Sequence, residues 1–264
     1  MKKLNFLFSR SKQEQDKPIR DKLKTRKDFE RVLAEDLDIM ETTKARMDTA
    51  KNINLYMYRS LSYSYILILQ SKYSVDAKID ELRDIYIKSM HYFLQAFNKR
   101  NPIYADILNY VSLGVLLNIP DNNFRQLIDY VKQMDKQAKP SGWTPDLLLW
   151  FMLNSRLKEQ EKQKYAETLA YPRLYNGLYK VIQAPNAAAA KDALSKYLDR
   201  WYNLNSNAPW YNSHLKDNSY RGYWAWEVAA VAKIMHIDDS DLKNNQYYPY
   251  DMVHWENNET TAKE

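Results

Sequence analysis

The sequence of 264 residues contains no cysteine and only four glycines. Without thiols the chain has no disulfide bonds or thiolate metal sites, and this fits a reducing compartment, so we expect a cytoplasmic protein. The glycines, at positions 114, 142, 177 and 222, cannot be assembled into a GxGxxG or GxxxxGK phosphate-binding loop. Nucleotide-binding folds that depend on such loops are therefore excluded.

Histidines are also few, and none lies in a recognisable catalytic motif. The four are His91, His214, His236 and His254, which show no HExxH or other metal-ligand spacing, and there is no GxSxG turn for a nucleophile. His236 follows a helical run, where it can stabilise the negative end of the helix; metal binding is the alternative. We therefore expect no enzyme, no cofactor and no metal.

Long hydrophobic runs are missing as well. The most apolar stretches, residues 65–69 and 147–153, are far shorter than the ~20 residues of a membrane-spanning helix. The chain begins MKKLNFLFSR, which has the basic start of a signal peptide but too short an apolar run to complete one. We expect neither a secretion signal nor a membrane span.

The positive charge is concentrated at one end of the chain. The net charge is +6, and residues 1–28 hold ten Lys or Arg against four Asp or Glu, so the remainder is balanced. The simplest interpretation is a solvated basic leader over residues 1–20, and the alternative is an arm that binds anions such as nucleic acid. Trimming this segment distinguishes the two.

The composition favours helices throughout. Leu, Lys, Ala, Gln and Met are common, and there are no long alternating runs of Val, Ile and Thr that would indicate strands. We predict an all-α fold, an irregular multi-helix bundle in which N-terminal and C-terminal helical halves pack together. The expected divisions are a flexible leader (1–20), an N-terminal helical domain (21–138), a C-terminal helical domain (143–258) and a tail (259–264).

Hydrophobic spacing and capping residues place the individual helices. In the N-terminal half we predict helices over residues 21–49, 53–73, 76–98 and 121–137, followed by a boundary loop at 139–145. In the C-terminal half Thr144 and Pro145 are the expected N-cap and first turn of a helix over 146–154. Further helices are expected over 159–182, interrupted near Pro172, over 187–202, over 223–235, and from Pro249 onward.

The C-terminal stretch YRGYWAWEVAAVAKIMHIDDSDLKNNQYYPYDMVHW, residues 220–255, has a distinctive order. Its characteristic residues are Tyr220, Gly222, Tyr223, Trp224, Glu227, the alanines at 229, 230 and 232, Ile237 to Ser240, Tyr247 to Pro249, Asp251 and Val253. On these residues the stretch resembles the C-terminal domain of PoNi-type immunity proteins, which neutralise PoNe-type DNase toxins delivered between competing bacteria. Arg20, Asp21 and the long helix after them are compatible with the N-terminal domain of that family.

Glu227 stands out because its predicted helix is otherwise almost entirely apolar or Ala. A buried carboxylate is costly unless it is paired or protonated. Arg221 lies six residues earlier and is not expected to reach Glu227. We therefore expect a structural partner, either a basic group from another helix or a tyrosine hydroxyl. A toxin-facing or catalytic carboxylate is the alternative.

The resemblance implies a non-enzymatic immunity protein that binds a cognate antibacterial DNase toxin and occludes its DNA-binding or active site. Because a DNase site is basic, carboxylates can occupy it, and tyrosines suit protein interfaces. The candidate toxin contacts are Asp238, Asp239, Asp241, Tyr220, Tyr247, Tyr248, Tyr250, Asp76, Asp80, Glu81 and Asp84. The acids could instead be solvated helix starts, and most aromatic residues could simply build the core.

Two other functions remain open from the sequence. The basic leader and abundant aromatic residues suit a nucleic-acid-binding protein, and the helical composition suits a scaffold for another protein. The first predicts salt-dependent DNA binding that is lost when residues 1–28 are removed. An immunity protein would retain its protective effect, and a scaffold would not protect at all.

Overall fold

The structure is a computed structural model and describes residues 18–96, 103–136, 142–216 and 218–261, with side chains to residue 256. Within these ranges the chain forms ten α-helices and no strand, which confirms the all-α prediction. The helices are α1 (Arg26–Thr49), α2 (Leu55–Val75), α3 (Ile79–Ala96), α4 (Tyr104–Leu116), α5 (Asp121–Lys136), α6 (Leu147–Asn154), α7 (Pro172–Ile182), α8 (Ala187–Leu204), α9 (Trp226–Met235) and α10 (Tyr250–Thr261). Short 3₁₀ turns occur at Glu159–Glu161, Ser213–Leu215 and Ser240–Leu242.

The helices belong to two compact units. Unit 1 comprises the described residues of Met1–Ala96 together with Asn212–Gly222, and unit 2 comprises those of Phe97–Tyr211 and Tyr223–Glu264. The first part of the distinctive C-terminal stretch therefore belongs to unit 1, although its helices belong to unit 2. None of the helices described is both long and apolar enough to cross a membrane.

Unit 1 is an arrangement of three helices in which α1 and α3 both pack against α2. Helix α1 begins with a capping box, because the Thr25 side chain accepts from the Asp28 N–H and the Asp28 side chain accepts from the Thr25 N–H. Asn54 caps α2 by accepting from the Met57 N–H. The apolar sides of these helices meet in a core that includes Met40, Leu61, Tyr65 and Ile68.

Unit 2 is centred on α4, which packs against α6 and α9. Nearly every side of α4 is buried, and its C-terminal carbonyl at Leu116 accepts two long-range hydrogen bonds. The donors are Lys233 Nζ and Trp255 Nε1, both at 3.0 Å. These bonds satisfy a carbonyl that has no partner within its own helix.

Asp146 ties three parts of unit 2 together. It caps α6 by accepting from the Leu149 N–H, and it also accepts from Tyr104 Oη at 2.8 Å and the Ala170 N–H at 2.7 Å. Only 1 % of the surface of Asp146 is exposed, so these three donors take the place of water around its carboxylate. The N-cap of this helix is thus Asp146, and the assignment of Thr144 to that position was wrong.

One helix was missed in the sequence, and one predicted helical segment was wrong. Helix α4 was not predicted, because a segment that is apolar on nearly all sides lacks an amphipathic period. Residues 162–171 are not helical, although their composition suggested it. There the Asn154 side chain donates to the Gln163 carbonyl at 2.8 Å and accepts from the Gln163 N–H at 2.9 Å, and Thr168 forms a β-bridge with Asp146. Such long-range bonds outweigh the weak local preference for helix.

Parts of the predicted division lie outside the described residues. These include residues 1–17 of the leader and residues 139–141 of the boundary loop. At the other end α10 continues to Thr261, so the first residues of the expected tail are helical.

Candidate functional site

The acidic turn after α9 is shaped by the residue that ends the helix. His236 adopts a left-handed backbone conformation with φ of 52°, which redirects the chain at the C-terminus of α9. Asp238 then accepts from the Ser240 N–H at 3.2 Å and closes the turn. As a result, Asp238, Asp239 and Asp241 have different surroundings although they are close in sequence.

Asp239 faces the interior of unit 2. Only 2 % of its surface is exposed, and its carboxylate accepts a hydrogen bond from Tyr248 Oη at 2.6 Å. Its other oxygen lies 2.7 Å from His254 Nε2. The expectation that Asp239 contributes to an exposed acidic surface is therefore wrong, because two internal partners hold it inside the protein.

Asp238 and Asp241 are instead exposed, with 66 % and 73 % of their side-chain surface accessible. Both reach Lys191 of α8, whose Nζ lies 2.7 Å from Asp238 and 2.8 Å from Asp241. The two carboxylates raise the pKa of Lys191 to about 12, and Lys191 lowers the pKa of Asp238. One cation is shared by two carboxylates, so the group remains acidic.

Tyr250, at the start of α10, lies within the electrostatic influence of Asp238 and Asp239. Its ring centroid is 4.3 Å from that of His254, and the ring is half-buried. Burial, and then the negative charges of Asp239, Asp238 and Asp251, raise the pKa of Tyr250. We refer to Asp238, Asp241, Tyr250 and Asp251 as the acidic face of unit 2.

The second predicted cluster consists of four carboxylates of unit 1, namely Asp76, Asp80, Glu81 and Asp84. Three of them have basic neighbours: Arg26 lies 3.1 Å from Asp76, Arg83 lies 3.3 Å from Asp80, and Lys72 lies 3.9 Å from Glu81. Asp80, Glu81 and Asp84 are exposed. Because most of its charge is paired within unit 1, this cluster is less acidic than the sequence suggested.

Two of the predicted tyrosine contacts are buried. Tyr220 has 3 % of its surface exposed and donates to Asp21 Oδ2 at 2.5 Å, within unit 1. Tyr248 has 2 % exposed and donates to Asp239. Both hydroxyl groups therefore bond inside the protein, so these two tyrosines do not offer the exposed surface that the predicted toxin contact requires.

Tyr247 belongs to a cluster of six rings in unit 2. The aromatic cluster consists of Trp201, Tyr202, Trp210, Tyr211, Tyr223 and Tyr247. Tyr202 stacks on Tyr247, with centroids 5.2 Å apart, and on Tyr211, with centroids 4.5 Å apart. Tyr202, Trp210, Tyr211 and Tyr247 are each partly exposed, so part of the cluster borders solvent.

Glu227 forms a hydrogen bond with a residue of this cluster and does not form an ion pair with any described residue. Trp201 Nε1 donates to Glu227 Oε1 at 2.6 Å, and none of the described residues forms a salt bridge with the carboxylate. Desolvation by the surrounding protein raises the pKa of Glu227 to about 7. The expected basic or tyrosine partner was therefore wrong: the donor is an indole N–H, which sequence spacing did not indicate.

Arg221 uses its guanidinium within unit 1. Its Nε lies 2.7 Å from Asp36 Oδ2, and its Nη2 lies 2.8 Å from Asp36 Oδ1. The sequence gave no signal for this pair, because Asp36 lies among other charged residues of α1. Among the described side chains, no group of three or more His, Asp or Glu residues could hold a metal ion.

The chain is similar to known proteins over most of its length. Residues 11–129 match the family model described as "PoNe immunity protein (PoNi), N-terminal", and residues 144–252 match "PoNe immunity proteins (PoNi), C-terminal". The crystal structure of protein PA2201 from Pseudomonas aeruginosa is similar in fold, with a TM-score of 0.69 and 19 % identity over 91 % of each chain. No curated protein matches the chain.

Proposed function

This chain belongs to the PoNi family of immunity proteins, and we propose that it neutralises its toxin by direct binding through the acidic face of unit 2. Membership of the family makes it an immunity protein against a PoNe-type DNase toxin. The acidic face supplies a means of inhibition, because carboxylates can occupy the basic surface on which a nuclease holds DNA phosphates.

The observation that carries this proposal is the arrangement of charges around Tyr250. Exposed carboxylates of Asp238 and Asp241 share a single lysine, and the charges of Asp238 and Asp251 both act on the Tyr250 hydroxyl. A lysine or arginine of the toxin can approach these groups without displacing the core. The face thereby presents negative charge on the turn that follows α9.

The aromatic cluster supports the same surface. Tyr247 lies in that cluster, and Tyr250 lies in the acidic face only three residues later. Partly exposed tyrosine and tryptophan rings contribute large contact areas at protein interfaces and commonly dominate the binding energy there. In this proposal the aromatic rings and the carboxylates both contact the toxin. The carboxylates attract its basic surface during association, and the rings supply most of the contact area.

In this proposal the protein acts as a stoichiometric inhibitor and not as an enzyme. It needs no bound cofactor, because inhibition follows from occupancy of the toxin surface. Neutralisation should then saturate at a fixed ratio of immunity protein to toxin. Protection that continued at a large excess of toxin would contradict direct occupancy.

The test is a charge reversal on the acidic face. We expect the double variant Asp238→Lys/Asp241→Lys to weaken toxin binding at least about tenfold and to raise DNA cleavage in a mixture with toxin, since like charges would oppose each other. The matched control is Asp192→Lys, because Asp192 is an exposed acid of α8 that also pairs with a lysine, Lys196. Binding is measured by titration calorimetry and folding by circular dichroism.

The outcomes of this experiment are distinct. Loss of affinity in the double variant, with a normal fold and an unaffected control, supports the acidic face. Equal affinity in all three proteins would show that the toxin binds elsewhere. Complete absence of protection by the unaltered protein against its PoNe-type toxin would contradict the immunity function itself.

A further inference from the structure

One face of α1 carries a row of residues that the toxin contact in unit 2 does not use. Glu35, Ile39, Thr42 and Arg46 follow one another at intervals of four, three and four residues. This spacing places them on the same side of a helix. Ile39 has half of its surface exposed, and Thr42 and Arg46 are also exposed.

The neighbouring helix extends this surface. Thr43, the neighbour of Thr42, meets α2 at the edge of the row, where its Oγ1 lies 3.4 Å from Ser60 Oγ. Tyr56 and Tyr63, one turn to either side of Ser60, have 81 % and 62 % of their surface exposed. Three large apolar or aromatic side chains thus lie exposed along one side of the α1–α2 pair.

The order of charges in the row is complementary to itself. Glu35 and Arg46 stand at opposite ends, and no ion pair holds either of them within the described part of the chain. Two antiparallel copies of α1, related by a two-fold axis between Ile39 and Thr42, would bring each Glu35 to the other copy's Arg46. The same axis brings each Ile39 against the methyl group of the other Thr42.

We propose that this row is the interface of a homodimer, in which α1 packs antiparallel against α1 of a second copy. Residues at alternating intervals of three and four form a continuous stripe along one side of a helix, so the stripes of two antiparallel helices can lie against each other. A two-fold interface must be complementary to itself, and the charge order of the row meets that condition. The toxin is a poorer fit, because a basic nuclease surface would not favour a face with both signs.

The proposal is independent of the toxin contact, since it concerns unit 1. Its first test is sedimentation equilibrium on the full chain and on charge variants. We expect Glu35→Arg and Arg46→Glu each to weaken dimerisation about tenfold or more, because each brings like charges together. The double variant Glu35→Arg/Arg46→Glu should restore it to within about threefold of the original value.

Glu41→Arg is the matched control, because Glu41 is an exposed acid of α1 outside the row. This variant should dimerise like the original chain. A chain that remains monomeric at about 100 µM would overturn the proposal, as would a double variant that fails to recover. Monomeric protein whose toxin affinity falls with Glu35→Arg would instead assign the face to the toxin.

The lack of cysteine provides a second measurement that does not depend on charge. A mixture of chains carrying Ile39→Cys and chains carrying Thr42→Cys should be joined by a short bifunctional thiol reagent into a mixed dimer. Chains with Asp48→Cys, an exposed position of α1 outside the row, should remain unjoined. Equal cross-linking of the mixture and of the Asp48→Cys chains would indicate random collision and would contradict the antiparallel arrangement.

Discussion

Arg221 and Asp36 form a two-point ion pair within unit 1, although 185 residues separate them in the chain. Their side chains are 9 % and 3 % exposed. Tyr220, the neighbour of Arg221, donates to Asp21, and Ser74 donates to the Arg221 carbonyl at 2.8 Å. Segment 212–222 is thus held against α1, α2 and the residues before α1 by polar contacts, and the charge of Arg221 has a structural role.

We expect Asp36→Asn to destabilise the protein strongly, because it leaves a buried guanidinium without a counter-charge. Breaking a buried ion pair from one side costs about 3–5 kcal/mol. The exposed acid Asp192 provides the control, since Asp192→Asn should change the free energy of unfolding by no more than about 0.5 kcal/mol. Urea unfolding of both variants measures the difference.

The double variant Asp36→Leu/Arg221→Met should lose less stability than Asp36→Asn, because it leaves no unpaired charge. A double variant that is less stable than Asp36→Asn would show that the ion pair stabilises the fold by more than the neutralisation of its two buried charges. It would also mean that the hydrogen bonds of segment 212–222 depend on this pair.

Much of the helical framework could be predicted, because its signals are local. The long amphipathic run of α1 and the N-cap residue before α8 need only neighbouring residues to be recognised. Helix α4 lacked such a signal, since almost all of its sides are buried. Residues 162–171 were misassigned because Asn154 and Asp146 determine their path through bonds to distant backbone.

The candidate site could be predicted only in part for the same reason. Sequence marks the region of Asp238, Asp239 and Asp241 as acidic, but the direction of each side chain depends on residues elsewhere. Tyr248 and His254 draw Asp239 inward, whereas Lys191 holds the other two at the surface. Exposure within the turn is therefore a tertiary property.

Substitutions of Asp239 and Asp238 should consequently change stability to different extents. Asp239→Ala removes the acceptor of two buried or partly buried donors, Tyr248 and His254, and we expect a loss of about 1–3 kcal/mol in the free energy of unfolding. Asp238→Ala should leave stability nearly unchanged, because exposed ion pairs contribute little. Thermal or urea unfolding distinguishes them; equal losses would contradict the inward orientation of Asp239.

Removal of residues 1–17 should leave toxin affinity within about twofold of the original value. This segment contains five of the Lys and Arg residues, but the proposed toxin contact lies in unit 2. The measurement is toxin titration with full-length and trimmed chains. DNA affinity that decreases steeply with salt and disappears on trimming would instead favour the nucleic-acid-binding alternative.

Glu227 makes the stability of the protein depend on pH. Its pKa in the folded protein is raised from the ordinary value of 4.5 to about 7, chiefly because burial disfavours the charged form. The folded state therefore binds the proton more tightly than the unfolded state. The resulting contribution to stability is fully present below pH 4.5, decreases as the pH rises, and is lost above about pH 7.

Glu227→Gln should remove this pH dependence, because the amide stays neutral while its oxygen can still accept from Trp201 Nε1. Between pH 4.5 and pH 8 the original protein should lose on the order of 3 kcal/mol relative to the variant. Glu167→Gln, at an exposed position of unit 2, is the control and should follow the original protein. Urea unfolding across this range measures the difference. Parallel curves for all three proteins would mean that Glu227 titrates near its ordinary pKa, and that the protein around Trp201 does not desolvate the carboxylate.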